Sequence, residues 1–264
     1  MSKRSLKEGW RGLVGALILV CAPVAVYVPT MGRYFVAEDF IHWRVLSQQS
    51  LLARFSHELT SPWFVFDVIK HYRTVITQLQ NIQYLLFGID PLPYYVISLA
   101  VHVLNTLLVY RLARVLLPSK AGPLPFLTAL LFTLYPLHPG SIAALTSVLH
   151  PYAACLQLVA LLLYRRYIVD GRGRWYVGSV ACFIVSLSLV EAAVTVPLLI
   201  VMCDLILLKA PIRGQGRRLF KRYAPFLAVL AVYLGVRRMA LGEFLGGTGN
   251  AASLFGETWR LRIA

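Results

Sequence analysis

Apolar runs of spanning or near-spanning length follow one another along this chain, and two of them are too long for a single crossing. A bilayer core about 30 Å thick takes roughly 20 helical residues. The runs cover residues 13–29, 93–117, 123–164, 175–208 and 223–236. As one helix, 123–164 would be about 63 Å long at 1.5 Å per residue, so it must turn back. The turn is written at Tyr135-Pro136-Leu137-His138-Pro139-Gly140, because proline and glycine end helices. Residues 175–208 pose the same problem, with Glu191 at the middle. The runs are continuous rather than alternating, which excludes a transmembrane barrel. Composition agrees: 58% of the residues are hydrophobic and 14% charged, against about 45–50% and 25% in soluble domains. The expected fold class is all-α, a polytopic transmembrane helical bundle.

Charge sets the number of crossings. With each long run crossing twice, the chain crosses about seven times from a cytoplasmic N-terminus. The cytoplasmic segments then hold 17 of the 26 basic residues and three acids, and sum to +14. The outer segments sum to +1, which recovers the net charge of +15. This is the positive-inside pattern. A single crossing at 175–208 would put one of two adjacent basic loops outside. The basic balance therefore reports topology and contact with anionic lipid in the bilayer. It does not indicate nucleic acid, since Lys and Arg lie at helix ends and do not share one face. The first run follows Lys3, Arg4, Lys7 and Arg11 and has no small-residue cleavage site after it, so it is read as an uncleaved anchor. Together these features give a multi-pass protein of a bacterial inner membrane or its equivalent, with the whole of 1–264 as one transmembrane module.

The first outer loop, 31–90, is too apolar for a linker. Helical spacing at Phe40, Ile41, Val45 and Leu46, and again at Leu51, Leu52 and Phe55, predicts two or three short amphipathic helices on the outer membrane face. Residues 242–264 read as the opening of a further outer loop, and the chain is expected to be part of a longer protein. Cys21, Cys155, Cys182 and Cys203 all lie in apolar runs without metal spacing, and read as small apolar core residues. There is no P-loop, dinucleotide fingerprint, GxSxG or HExxH.

Candidate chemistry gathers on the outer side. Glu38 and Asp39 are adjacent carboxylates at the start of the first outer loop. A carboxylate partly shielded from water there is a stronger proton acceptor. Equally, an acid before Phe40-Ile41 caps a helix. Glu191 has no Lys or Arg within ten residues on either side. A bare charge at mid-bilayer costs roughly 2.5–3.5 kcal/mol. Glu191 must therefore sit in an outer turn, be protonated, or have a partner on another helix. Arg73, after Tyr72, and the pair Arg237-Arg238 are basic residues on the side where charge is otherwise balanced. Guanidinium binds phosphate oxygens bidentately, though helix-end arginines also snorkel. His138 and His150 are each followed by proline and are twelve residues apart, which is wrong for a helical zinc pair. No metal site and no firm cofactor follow; a divalent metal is neither required nor signalled. His102 and Asn105 share one helix face and are expected to bond a neighbouring helix.

Six segments, in order, carry a resemblance: Glu38-Asp39; Tyr72-Arg73-Thr74; the Asn81, Tyr84-Leu85-Leu86-Phe87-Gly88 segment; His102 with Asn105; Leu134-Tyr135-Pro136-Leu137-His138-Pro139; and Glu191 followed by Ala193-Val194-Thr195-Val196-Pro197. The chain thereby resembles the GT-C class of polytopic glycosyltransferases, in the branch holding the protein O-mannosyltransferases and the tetratricopeptide-bearing O-mannosyltransferases. It departs from that pattern where Val190 replaces a lysine, Thr74 replaces a proline, and the charged groups usual after His-Pro are absent.

The resemblance implies transfer of a sugar, plausibly mannose, from a polyprenyl-phosphate donor to a hydroxyl of a protein or glycan acceptor on the extracytoplasmic face. It implies Asp39, or its neighbour Glu38, as the general base. Tyr72, Arg73, His138, Glu191 and Arg237 would then form the substrate and phosphate subsite. The rival reading is a non-catalytic relative serving as membrane scaffold, or a lipid-handling or transport component. A transporter more often carries charged or broken spans near mid-membrane, whereas here the polar residues cluster at the outer ends.

Overall fold

The structure, a computed structural model, describes residues 3–32, 34–35, 39–40, 44, 63–65, 69–71, 73–118, 120–135, 148–208 and 216–241. The described chain is a helical bundle: α1 (Lys3–Tyr27), α2 (Thr74–Phe87), α3 (Pro91–Leu116), α4 (Leu124–Thr133), α5 (Leu149–Asp170), α6 (Gly173–Leu187), α7 (Val196–Leu208) and α8 (Gly216–Leu241). Four helical stretches are long and apolar enough to cross a membrane: Leu13–Thr30, Pro91–Leu116, Leu149–Asp170 and Leu219–Met239. Only 11% of the last is buried within the protein, so its apolar surface requires lipid in place of water. α4, α6 and α7 are apolar but shorter, about 15, 22 and 20 Å by their rise.

Both long runs are broken. α4 stops at Thr133, and the next described helix begins at Leu149; the Pro136–Gly140 turn itself lies outside the described residues. In the second run α6 stops at Leu187, Val190 is extended (φ −152°, ψ 140°), and a 3-10 turn over Glu191–Thr195 leads into α7.

Local chemistry explains the ends. Asp90 caps α3 by accepting from the Leu92 N–H at 3.1 Å, and Pro91 takes the first helical position, where no amide is needed. Gly171 closes α5 in the left-handed conformation (φ 69°), with its N–H on the Tyr167 carbonyl at 2.9 Å. Only Gly171 and Arg172 separate α5 from α6, which forces an antiparallel hairpin. Gly178 lets the pair close: a Cβ there would lie 3.2 Å from Leu163 Cδ1. Ser179 Oγ donates to the Ala160 carbonyl at 2.8 Å across the same seam. Tyr164, Phe183, Leu187, Ile200 and Phe226 fill the core among α5, α6, α7 and α8.

A polar seam ties α1, α3 and α4 together. Tyr27 donates its hydroxyl to the Thr133 carbonyl (3.0 Å), and Thr106 donates to Thr133 Oγ1 (3.0 Å). His102 Nε2 meets both Thr133 oxygens at 3.3 Å. Asn105 donates to the Pro151 carbonyl of α5 at 2.8 Å. His102 and Asn105 thus bond neighbouring helices, as their shared face suggested.

The first outer loop differs in part from expectation. Among the described residues of 31–90 the structure has the 14-residue helix α2, helical backbone at Asp39, Phe40 and Arg44, and a small antiparallel ladder of Trp63–Val65 (β1) with Ile69–His71 (β2), Phe64 opposite Lys70. Three-residue strands leave too short a period for sequence to show. Of the helices expected around Phe40 and Leu51, the described positions Asp39, Phe40 and Arg44 are helical, and the rest lies outside the described residues. Among the cysteines, Cys203 is buried, but Cys21 faces outward from α1, against the reading of all four as core. In lipid an outward thiol needs no aqueous partner, so the core and the lipid face are equally open to it.

Candidate active site: an arginine clamp at one end of the bundle

α2 brings the first component into place. Its start is pinned to the α6–α7 break by the Val75 N–H on the Ser188 carbonyl (3.3 Å). Ile76 packs with Val148, Leu149, Ala153, Leu189 and Val190. Farther along, Gln83 donates to the Tyr152 hydroxyl at 3.2 Å. Arg73, immediately before α2, is thereby held over the Glu191 turn.

Glu191 receives two arginines. Arg73 donates from Nε (3.1 Å) and Nη2 (2.8 Å) to Oε2. Arg237, near the end of α8, brings Nη1 to 3.2 Å from Oε1. The same Nη1 donates to the hydroxyl of Tyr233, one turn earlier, at 3.1 Å. Side-chain exposures of 14%, 4% and 25% for Arg73, Arg237 and Glu191 place the trio mostly out of water. Of the three resolutions open to Glu191, the structure shows a turn together with partners from other elements. Arg237 is buried and paired rather than snorkelling.

One carboxylate between two guanidiniums leaves the group with net charge +1. Arg237 Nε is buried with no hydrogen-bond acceptor among the described residues. Two guanidiniums and an unused Arg237 N–H donor in a half-shielded site suit an anionic oxygen, phosphate above all. Glu191 holds the two cations together against their mutual repulsion, and so acts as a clamp.

Asp39 neighbours the start of α3. It is fully buried, with 0% exposure, and lies within electrostatic reach of the Tyr95 hydroxyl. Tyr95, near the start of α3, donates to the Tyr34 carbonyl at 3.3 Å. Phe35 packs against Tyr94 and Tyr95 with ring centres 5.8 and 6.5 Å away. Phe87, the last residue of α2, joins that cluster. Phe87 ends α2, and Arg73 stands immediately before its first residue. Glu38, Tyr72 and His138 lie outside the described residues.

Two contributors escaped the sequence as site residues. Tyr233 was legible as the i−4 neighbour of Arg237 on the same helix face. His150, in the first turn of α5, is near enough to Arg73 and Glu191 to feel both charges; a proline after it was the only sequence signal. Among the described residues no cluster of His, Cys, Asp and Glu is arranged to hold a metal ion.

Comparison with known proteins gives the chain its relatives. No family model matches it, and no solved structure does. Protein O-mannosyl-transferase Tmtc1 of Drosophila melanogaster is 30% identical over 126 residues, 48% of this chain and 14% of that protein. Human protein O-mannosyl-transferase TMTC1 is 30% identical over 122 residues, 46% of this chain and again 14% of the relative. The matched stretch thus spans about a seventh of these relatives' length. Over about half of its length, then, this apolar helical chain is a distant relative of the TMTC-type protein O-mannosyl-transferases, and a glycosyltransferase-like membrane protein.

Proposed function

We propose that the chain transfers a sugar, mannose by analogy with its relatives, from a polyprenyl-phosphate donor to an acceptor hydroxyl on the extracytoplasmic face. The observation that carries the proposal is the Arg73–Glu191–Arg237 clamp: two guanidiniums held around one carboxylate, with a buried N–H donor to spare. Such a group would take the donor's phosphate, and its positive charge would stabilise the phosphate as it leaves. Asp39, or its neighbour Glu38, would accept the proton of the acceptor hydroxyl. The hydroxyl oxygen then forms its bond to the anomeric carbon as the bond from that carbon to the phosphate oxygen breaks, with inversion. Tyr72 and His138 belong to the same proposed subsite on their sequence positions alone. No metal takes part in this scheme.

The topology proposed with it has about seven crossings, from α1, α3, α4, α5, α6, α7 and α8, with the N-terminus in the cytoplasm and α2 on the outer face. A lipid donor would then enter sideways between helices and present its phosphate at the clamp.

The test is transfer of radiolabelled sugar from polyprenyl-phosphate donors to protein and glycan acceptors, with the protein in proteoliposomes. Turnover that falls sharply in Arg237→Gln supports the assignment. No turnover across several donors and acceptors would favour the scaffold or lipid-handling alternative.

A further inference from the structure

The turn between α5 and α6 lies at the far end of α5 from His150, away from the clamp. It carries Arg165, Arg166, Arg172 and Arg174 within ten residues, against the single carboxylate of Asp170. Asp170 is taken by Arg166 Nε at 3.2 Å, so the corner keeps a surplus of three positive charges. Trp175 organises them. Its ring has the Arg166 guanidinium 4.0 Å and the Arg174 guanidinium 4.6 Å from its centroid. Stacking on indole uses the flat face of a guanidinium and leaves its N–H edge for an acceptor. Two further donors at the corner, Trp175 Nε1 and Arg165 Nε, are buried without a hydrogen-bond partner among the described residues. Tyr167 and Tyr176 pack together beside them, ring centres 5.0 Å apart, the aromatic setting of a headgroup layer.

We infer that the α5–α6 corner is a binding site for the phosphate of an anionic phospholipid. The donors are oriented by stacking, the charge is uncompensated, and the position, where an apolar span ends, is where lipid phosphate lies. A diffuse basic end needs no fixed guanidiniums and no spare indole N–H; this corner has both. The inference rests on the chain crossing a bilayer and not on sugar transfer, so it stands or falls without a sugar donor.

The experiment is native mass spectrometry of the protein released from mixed phosphatidylcholine and phosphatidylglycerol vesicles, counting retained lipids. The wild type should keep phosphatidylglycerol preferentially. The double variant Arg166→Gln/Arg174→Gln should lose that retention by about tenfold or more. Trp175→Phe, which keeps an aromatic ring but removes the indole N–H, should weaken it several-fold. The control Arg111→Gln/Arg114→Gln removes the same charge from the end of α3 and should leave retention unchanged. Soluble glycerophosphoglycerol should fail to displace the lipid at micromolar concentration. Unchanged retention in the Arg166/Arg174 variant, equal loss in the control, or displacement by the soluble headgroup would each overturn the site.

Discussion

Replacing Glu191 by glutamine should destabilise the protein more than replacing either arginine it holds. Glutamine keeps the shape of the side chain but removes the charge and turns one acceptor oxygen into a donor. Arg73 would lose the charge on its Glu191 acceptor, and Arg237, 4% exposed, would lose its ion pair with Glu191 and face another cation. Breaking a buried ion pair by removing one partner costs about 3–5 kcal/mol. Glu191 is 25% exposed, so water takes up part of that, and roughly 2–4 kcal/mol is expected. That is about a 30- to 700-fold loss in the folding equilibrium. Arg73→Gln should cost less, about 1–2 kcal/mol, because Glu191 still has Arg237. The double variant Arg73→Gln/Glu191→Gln should cost less than the sum of the two, since removing Arg73 also removes one of the stranded cations; the coupling should be about 1–3 kcal/mol. Equilibrium unfolding in mixed micelles reads all three. A Glu191→Gln protein within about 0.5 kcal/mol of wild type, or additive single effects, would refute the clamp.

Other consequences follow from the same geometry. Asp204, 2% exposed, accepts from Tyr164 (2.7 Å) and Tyr223 (2.8 Å) and lies 3.8 Å from Arg222; Asp204→Ala should cost about 3–5 kcal/mol by stranding the arginine, read by the same unfolding measurement. Gly178→Val should cost about 1–3 kcal/mol by pushing Leu163 away and separating α5 from α6, visible as a lower unfolding midpoint. In a cysteine-free background, Ser141→Cys should label from the outer side and Arg172→Cys only from the cytoplasm; outside labelling at 172 would overturn the seven-crossing topology.

The bundle was legible because apolar length is a one-dimensional property. A 42-residue run cannot be one crossing, and Pro136 and Pro139 mark where it turns; α4 does stop at Thr133. Glu191 was legible as an anomaly for a similar reason, since a carboxylate in an apolar run must be turned out or paired. Its partners were harder to see: Arg73 is 118 residues away, brought near by the Val75–Ser188 backbone bond and the packing of Ile76 against Val148 and Leu189. Asp204 is one of the three acids that the charge count places on the cytoplasmic side, and the sequence says no more of it than that. Its burial depends on Tyr164 and Tyr223, on two other helices, and no spacing rule reaches across them. The β1–β2 ladder, three residues a side, is below the length at which alternation becomes a signal.

The central claim, that this chain moves sugar with an outer-face carboxylate as base, is tested most directly by Asp39→Asn in the full chain. Turnover from a radiolabelled polyprenyl-phosphate donor in proteoliposomes is measured beside donor binding. A positioned general base contributes about 10²–10⁴ in rate, or about 3–5 kcal/mol of barrier. The account predicts a loss of that size in Asp39→Asn, a smaller loss in Glu38→Gln, and donor binding nearly unchanged in both. Wild-type turnover in Asp39→Asn would contradict it.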